Sequence, residues 1–271
     1  MTGFRDRYGP RALVLGGSEG IGAAFAHALA ARGLDLTLVA RRAEPLADLA
    51  ADIARAHGVD VAVECADLAA DTVGQSAVAL FDTREYGLVV YNAGAAHGAG
   101  LFTDNPIVRE LGLVRLNCLG PTAIAHHALR QMVPRGRGGV ILVSSMSGLA
   151  GSGHVATYAA AKSFEIVLAE GLHWENVARG VDVLCAIASM TDTPAMRLSG
   201  MRPDALPGMV AMAPEAVAEG ALGFLGQGPV WCAAGRDAID GARAMPRADL
   251  VDRSSRMAAA LWGLDPEPPA A

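Results

Sequence analysis

Leu15-Gly16-Gly17-Ser18-Glu19-Gly20-Ile21-Gly22 follows a short apolar run at residues 12–15 and opens an Ala-rich stretch of helical character at 21–32. A chain that leaves a strand, turns tightly and enters a helix needs glycine at the turn, and the free N–H groups at the helix start bind anions. The spacing is Gly-x-x-x-Gly-x-Gly, not the commoner Gly-x-Gly-x-x-Gly, and as a bare string it also fits an ordinary glycine-rich turn. Its place between a first strand and a first helix makes it the phosphate-binding turn of a dinucleotide-binding fold. Gly16, Ser18, Glu19, Gly20, Ile21 and Gly22 are then the residues set against a pyrophosphate.

The rest of the chain repeats this rhythm. Short β-type runs at residues 12–15, 35–39, 59–64, 88–91, 139–143, 181–187 and 229–233 alternate with helical stretches at 21–32, 44–57, 72–81, 106–132, 155–179 and 214–225. Strand, helix, strand in succession means right-handed crossovers and a parallel sheet covered on both faces. The expected fold is α/β: a single-domain Rossmann fold over residues 1–271, with a doubly wound seven-stranded parallel sheet and helices on both faces. Two stretches break the pattern. Residues 189–213 are rich in Met, Pro and Gly and suggest a lid, and the Pro-rich end from about 264 to 271 is expected to fray.

Composition narrows the function. The 271 residues are 52% hydrophobic and only 18% charged, so apolar elements cover one another or a partner subunit. No apolar run reaches the roughly 18 residues of a membrane span, and Met1–Arg7 lacks the apolar core of a signal peptide, so a soluble cytoplasmic protein is expected. A net charge of −6 without a basic stripe argues against a nucleic-acid partner. Cys65, Cys118, Cys185 and Cys232 form no metal-ligand or disulfide spacing and are expected to be small core residues, with no metal bound.

The second strand ends Leu38-Val39-Ala40-Arg41-Arg42. A carboxylate at this point would meet a ribose 2′-OH, whereas arginine accommodates a 2′-phosphate, so Arg41 and Arg42 favour NADP(H) over NAD(H). The alternative is two solvated arginines opening a helix. Asp67, after the third strand, could accept from an adenine amino group or equally cap the next helix. Asn92-Ala93-Gly94 ends the fourth strand in small residues, as close approach of backbone to a cofactor requires.

Chemistry enters with Tyr158-Ala159-Ala160-Ala161-Lys162 and with Ser145, thirteen residues before the tyrosine. Residues four apart share a helix face, so phenol and ammonium point into one space, and Ser145 closes a buried strand whose end opens on the crevice. A ketone that accepts hydride needs an acid for its oxygen, and the reverse reaction needs a base. Moving a phenol from a pKa of about 10 to about 7 means favouring the phenolate by roughly 4 kcal/mol, which a nearby ammonium can supply.

Taken in order, Gly16-x-x-x-Gly20-x-Gly22, Asn92-Ala93-Gly94, Asn117, Ser145 and Tyr158-x-x-x-Lys162 resemble the short-chain dehydrogenase/reductase family over residues 8–234. The resemblance implies Tyr158 as proton donor, Lys162 on the nicotinamide ribose, Ser145 on the substrate oxygen and Asn117 as holder of a water in a proton relay. It adds Leu68, Ser189, Thr191 and Thr193 to the cofactor side. Leu15 replaces the usual Thr before the first motif glycine, and Ala188-Ser189 stands where Pro-Gly is common. Met146, Met190, Met196, His97 and His154 are candidates for the substrate mouth, although loop histidines often face solvent. Phe4-Arg5-Asp6-Arg7-Tyr8-Gly9 and Ser144-Ser145-Met146-Ser147-Gly148 are similar to a bacterial branch with 7β-hydroxysteroid dehydrogenases and relatives of 17β-hydroxysteroid dehydrogenases and long-chain 3-oxoacyl reductases. The expected activity is interconversion of a hydrophobic ketone and its alcohol with NADP(H). The alternatives are a 3-oxoacyl thioester reductase and a non-catalytic NADP(H)-sensing protein. By the same resemblance the chain is expected to form a homodimer or homotetramer.

Overall fold

The computed structural model describes residues 3–70, 73–94, 98–206, 208 and 210–267; His97 and Met209 lie outside the described residues. Seven strands, β1 (Arg11–Leu15), β2 (Asp35–Ala40), β3 (Val61–Cys65), β4 (Leu88–Tyr91), β5 (Gly138–Ser145), β6 (Val181–Ala188) and β7 (Val230–Cys232), form one parallel sheet in the order β3-β2-β1-β4-β5-β6-β7. The chain works outward from β1 to β3 and then restarts on the other side of β1. That reversal opens a crevice beyond the carboxyl ends of β1 and β4, where ligands of such sheets bind.

The helices are α1 (Phe4–Tyr8), α2 (Gly20–Ala31), α3 (Ala43–His57), α4 (Val73–Thr83), α5 (Ile107–Val114), α6 (Gly120–Arg135), α7 (Ala156–Asn176), α8 (Pro194–Leu198), α9 (Pro214–Phe224), α10 (Arg236–Ala244) and α11 (Arg247–Trp262). Side chains alternate across the sheet, so Ala12 and Val14 join one core layer with Phe25, Leu29 and Val217 while Leu13 and Leu15 join the other with Ile124, Ala128 and Ile166. Central strands are thus buried on both faces, which is why their sequences read as unbroken apolar runs. Among the described residues no helix is long and apolar enough to cross a membrane.

Several elements differ from the sequence reading. The helix expected over 106–132 is α5 and α6 separated by a π-helical turn, Arg115–Leu119, and the helix expected over 155–179 ends in a 3-10 turn, Val177–Arg179. Helices α1, α10 and α11 were not anticipated. Cys65 is exposed on the edge strand β3 and Cys118 is half-buried, so only Cys185 and Cys232 are the core residues expected of all four. Residues 189–213 contain α8 and a 3-10 turn, and their two ends are closed together where Met212 N–H donates to the Met190 carbonyl and Asp192 N–H to the Met212 carbonyl, both at 2.9 Å. The end of α11 holds this segment: Arg202 N–H donates to the Leu261 carbonyl at 2.7 Å and Trp262 Nε1–H to the Ser199 carbonyl at 3.1 Å. Beyond α11, Leu264 N–H reaches the Ala259 carbonyl at 2.8 Å and Glu267 pairs with Arg256 at 2.7 Å.

Helix α1 is pinned to the sheet by charge. Tyr8 Oη–H and Arg7 Nε–H both donate to one carboxylate oxygen of Asp182 at 2.6 Å, and Asp182, on β6, is 3% exposed. Burial, then the hydrogen bond to Asp182, pushes the Tyr8 phenol well above its ordinary range, so it stays a donor. Asp182→Ala leaves the phenol and the guanidinium without their acceptor and is expected to cost about 2–4 kcal/mol, from the usual contribution of hydrogen bonds to a charged group. Equilibrium denaturation measures it, and a parent-like midpoint would show that α1 contributes nothing to the fold.

Candidate active site

The glycine turn sits where β1 meets α2. Helix α2 begins after Glu19 with no side-chain cap, so its first N–H groups face the crevice unpaired by any side chain. A Cβ at Gly22 would lie 2.1 Å from the Gly16 carbonyl oxygen and 2.8 Å from Asn92 Nδ2, so the turn closes only with glycine there. Asn92 Nδ2–H donates to the Gly16 carbonyl at 3.0 Å and Asn92 N–H to the Leu15 carbonyl at 2.9 Å, which ties the end of β4 to the turn. A tight backbone cradle beside an uncapped helix start fits a pyrophosphate. Ser18 and Ile21 flank it, partly exposed.

At the end of β2, Arg42 pairs with Glu19 at 2.6 Å, bridging the start of α3 to the glycine turn. This pair engages two residues expected at the cofactor, while Arg41 stands exposed beside it. Asp67 Oδ1 accepts from Ala69 N–H at 3.0 Å, so it closes the turn after β3, and Leu68 is buried in the core. Thr193 lies on the other side of the turn with its methyl group against Gly20, and its Oγ1 caps α8 by accepting from Met196 N–H at 3.1 Å. Thr191 Oγ1–H donates to the Ser189 carbonyl at 2.9 Å. The base of the 189–213 segment therefore meets the glycine turn.

The four catalytic candidates come from three elements. Asn117 occupies the π-helical turn, a feature frequent at functional sites; its Nδ2–H donates to the Leu113 carbonyl at 2.9 Å, while its buried Oδ1 has no partner among the described residues. Tyr91 Oη–H, at 2.6 Å from the Leu116 carbonyl, satisfies a carbonyl of the distorted backbone. Ser145 ends β5, and its Oγ accepts from Ser147 N–H at 3.2 Å. Tyr158 lies in the first turn of α7, half-buried, and Lys162 Nζ sits 6.0 Å from the centroid of its ring. A Cβ at Gly94 would be 2.9 Å from both Asn117 Oδ1 and Lys162 Nζ, so Ala93-Gly94 runs past the point where these two polar atoms converge.

Three contacts at this point were not foreseen. Lys162 Nζ donates to the Val143 carbonyl at 2.9 Å and to both oxygens of Glu165 at 3.0 and 2.9 Å, and both side chains are buried. Burial works against the ammonium, but Glu165, Tyr158 and Cys185 together outweigh it and leave the Lys162 pKa raised. Ser144 Oγ–H donates to the Lys162 carbonyl at 2.7 Å and clips α7 to the end of β5. The sequence carries a signal for the contact with Glu165, which stands three residues after Lys162, a spacing at which helix side chains meet. The carbonyl contacts have no such signature.

Of the substrate candidates, His154 shares a small cavity with Tyr158, Phe102, Arg109 and Leu113. It adopts φ 63°, unusual for a residue with a side chain, and its Nε2–H donates to the Asp265 carbonyl at 3.2 Å, so it is turned toward the C-terminal segment. Helix α11 runs beside the same loop: Gly153 N–H donates to Ser255 Oγ at 2.8 Å and Ser152 Oγ–H to the Ser254 carbonyl at 3.1 Å. Met146 is half-buried, its Sδ 3.4 Å from Cys232 Sγ at the edge of the core. Met190 and Met196 are half-buried at the base of the 189–213 segment.

Comparison with known proteins agrees with this arrangement. The short chain dehydrogenase profile matches residues 10–202. The chain is 31% identical to a 7beta-hydroxysteroid dehydrogenase of Clostridium sardiniense, across 94% of this chain and 97% of that one. A solved structure from work on 7beta-hydroxysteroid dehydrogenase stereoselectivity superposes with a TM-score of 0.83 at 28% identity, covering 93% of this chain and 99% of the other. A short-chain dehydrogenase from Sphingobium yanoikuyae in complex with NADPH gives a TM-score of 0.78 at 30% identity, over 86% and 93% of the two chains. With sheet order, glycine turn and the Tyr158–Lys162 face all in place, the chain belongs to the short-chain dehydrogenase family and is an oxidoreductase acting on CH–OH groups.

Proposed function

We propose that this protein uses NADP(H) to interconvert a ketone and a secondary alcohol on a bulky hydrophobic small molecule. The observation that carries the reading is the convergence of Lys162 Nζ and the unpartnered Asn117 Oδ1 beside Gly94, with Tyr158 and Ser145 at the same end of the sheet. The nicotinamide supplies or accepts the hydride at the substrate carbon. Every other task belongs to the chain. Ser145 Oγ–H and Tyr158 Oη–H donate to the substrate oxygen, and Tyr158 passes its proton there as the alcohol forms. Lys162 holds positive charge beside the phenol and favours its ionised form in the reverse direction. Asn117 Oδ1, with no donor among the described residues, would hold a water that returns protons toward Lys162.

Specificity for NADP(H) is assigned to Arg41, since Glu19 already engages Arg42. A hydrophobic substrate is assigned from the 189–213 segment, where Leu198 and Val210 are 85% and 83% exposed and Met190, Met196, Met201 and Met212 supply adaptable apolar surface. Likeness to 7beta-hydroxysteroid dehydrogenases supports the same choice. The exposed Ile107, Val108 and Leu111 of α5 and Phe164, Val167 and Trp174 of α7 are assigned to contact with a second copy of the chain.

Tyr158→Phe is expected to retain the fold and NADPH binding while lowering kcat by about 10²–10⁴-fold, the usual worth of general acid catalysis. Turnover within a few-fold of the parent would remove Tyr158 from the mechanism. Arg41→Ala should weaken NADPH by roughly ten- to a hundred-fold and barely change NADH, because a hydrogen bond to a charged group contributes about 1.5–3 kcal/mol; fluorescence titration with both cofactors reads the difference. Limited proteolysis tests the lid: cleavage within 189–213 should slow when NADPH and a steroid-like ketone are both present. Such ketones should exceed acetoin in kcat/KM, and the reverse order would discard the hydrophobic-substrate assignment.

A further inference from the structure

Glu165 has no task in the mechanism above, yet it is fully buried against the residue that mechanism most depends on. Stability does not account for it. Burying an ion pair costs about as much as the pairing returns, and an apolar residue of similar volume is often neutral or better at such a place. The neighbours of Glu165 come from four elements besides α7: Tyr91 on β4, Cys118 in the π-helical turn, Ser144 on β5 and Cys185 on β6. Burial first and the Glu165 charge second push Tyr91, Cys118 and Cys185 up, which keeps all three neutral. Among the described residues Lys162 is the one cation acting on Glu165.

We infer that Glu165 is the positioning residue of the proton-transfer site: its carboxylate anchors the Lys162 ammonium against the Val143 carbonyl at the end of β5 and carries its counter-charge. This rests on the oxidoreductase reading for Lys162 itself. The bidentate contact at 2.9 and 3.0 Å and the 2.9 Å bond to Val143 fix Nζ from two elements, so the ammonium stays below the Tyr158 ring instead of moving with its four-carbon stem. Without the carboxylate, desolvation, the largest single influence on the ammonium, is opposed by Tyr158 and Cys185 but no longer by a carboxylate, and the balance moves toward the neutral form. The burial that does this to Lys162 also pushes the Glu165 carboxyl up, to about 7. The pair is thus fully formed only on the alkaline side of neutrality, where alcohol oxidation needs a charged lysine.

Glu165→Gln and Glu165→Met, both close in volume, separate this role from space filling. In either variant the folded-state Lys162 pKa falls below its unfolded value of about 10.4, so the unfolded chain binds more protons and folding gains stability as pH rises. In the parent, Lys162 is raised and no such gain occurs. Thermal unfolding without cofactor between about pH 7.5 and 10, above the titration of Glu165, should therefore show a Tm deficit that narrows to less than half. With NADP⁺ and alcohol, the alkaline limb of kcat/KM should move down by at least one pH unit, and Glu165→Asp, which keeps the charge, should restore most of it. A deficit constant with pH, or limbs that coincide with the parent's, would overturn the inference. Absence of turnover in the parent would instead refute the oxidoreductase reading, and the melting series would still decide the pairing.

Discussion

The packing of one face of α7 against the carboxyl end of β5 is the constraint on which the site depends. Tyr158, Lys162, Glu165, Ile166 and Ala169 recur at helical spacing, and the last two belong to the core layer beneath. Ser144 fixes the height of the helix by bonding the Lys162 carbonyl, and Lys162 reaches back to the Val143 carbonyl on the same strand. Gly148 lets the backbone after β5 lie directly on that turn, since a Cβ there would sit 2.7 Å from the Lys162 carbonyl carbon. Strand, turn and helix thus form one rigid corner, and Ser145 and Tyr158 inherit their relation from it.

Much of this corner was legible. A parallel sheet buried on both faces produces short apolar runs separated by helical stretches, and all seven strands fall within two residues of the runs read from the sequence. The glycine turn was readable for a stronger reason: Gly16 and Gly22 approach other backbone so closely that only one residue type fits, and such demands leave a mark in the sequence. The break between α5 and α6 left a subtler one. A π-helical turn adds a residue to an otherwise continuous helix; Arg115-Leu116-Asn117-Cys118-Leu119 contains neither Pro nor Gly, and the mark is Gly120-Pro121 just after it, where proline lacks the N–H that a regular helix would bond to the Asn117 carbonyl.

Helices α10 and α11 were missed because they bury little. Ile239 is the buried residue of α10, a short and highly charged helix, and α11 buries only Ala258 and Ala259, so neither has the apolar content that makes a helix easy to read. Their positions matter all the same. Hydrogen bonds from the loop at 152–154 and from the 189–213 segment both end on α11, which links the two walls of the candidate substrate mouth. Met146 follows β5 directly and packs its sulfur on Cys232 while staying half-buried.

Electrostatics explains why the site is built on the side of β4 that it occupies. An ammonium needed near a phenol must be kept charged, yet a site that excludes water removes the solvent that would do so. Here the requirement is met by placing Lys162 between a strand carbonyl and a buried carboxylate, with the small Ala93-Gly94 backbone leaving the remaining side open toward the crevice. Asn117 offers an acceptor across that opening, held there by a helix that departs from regular geometry at this turn. The distortion, the buried acid and the glycine are each mildly unfavourable for folding, and they occur together within reach of one nitrogen atom. That coincidence fits the proton-transfer role proposed for Lys162 and Asn117, since local stability yields at functional places.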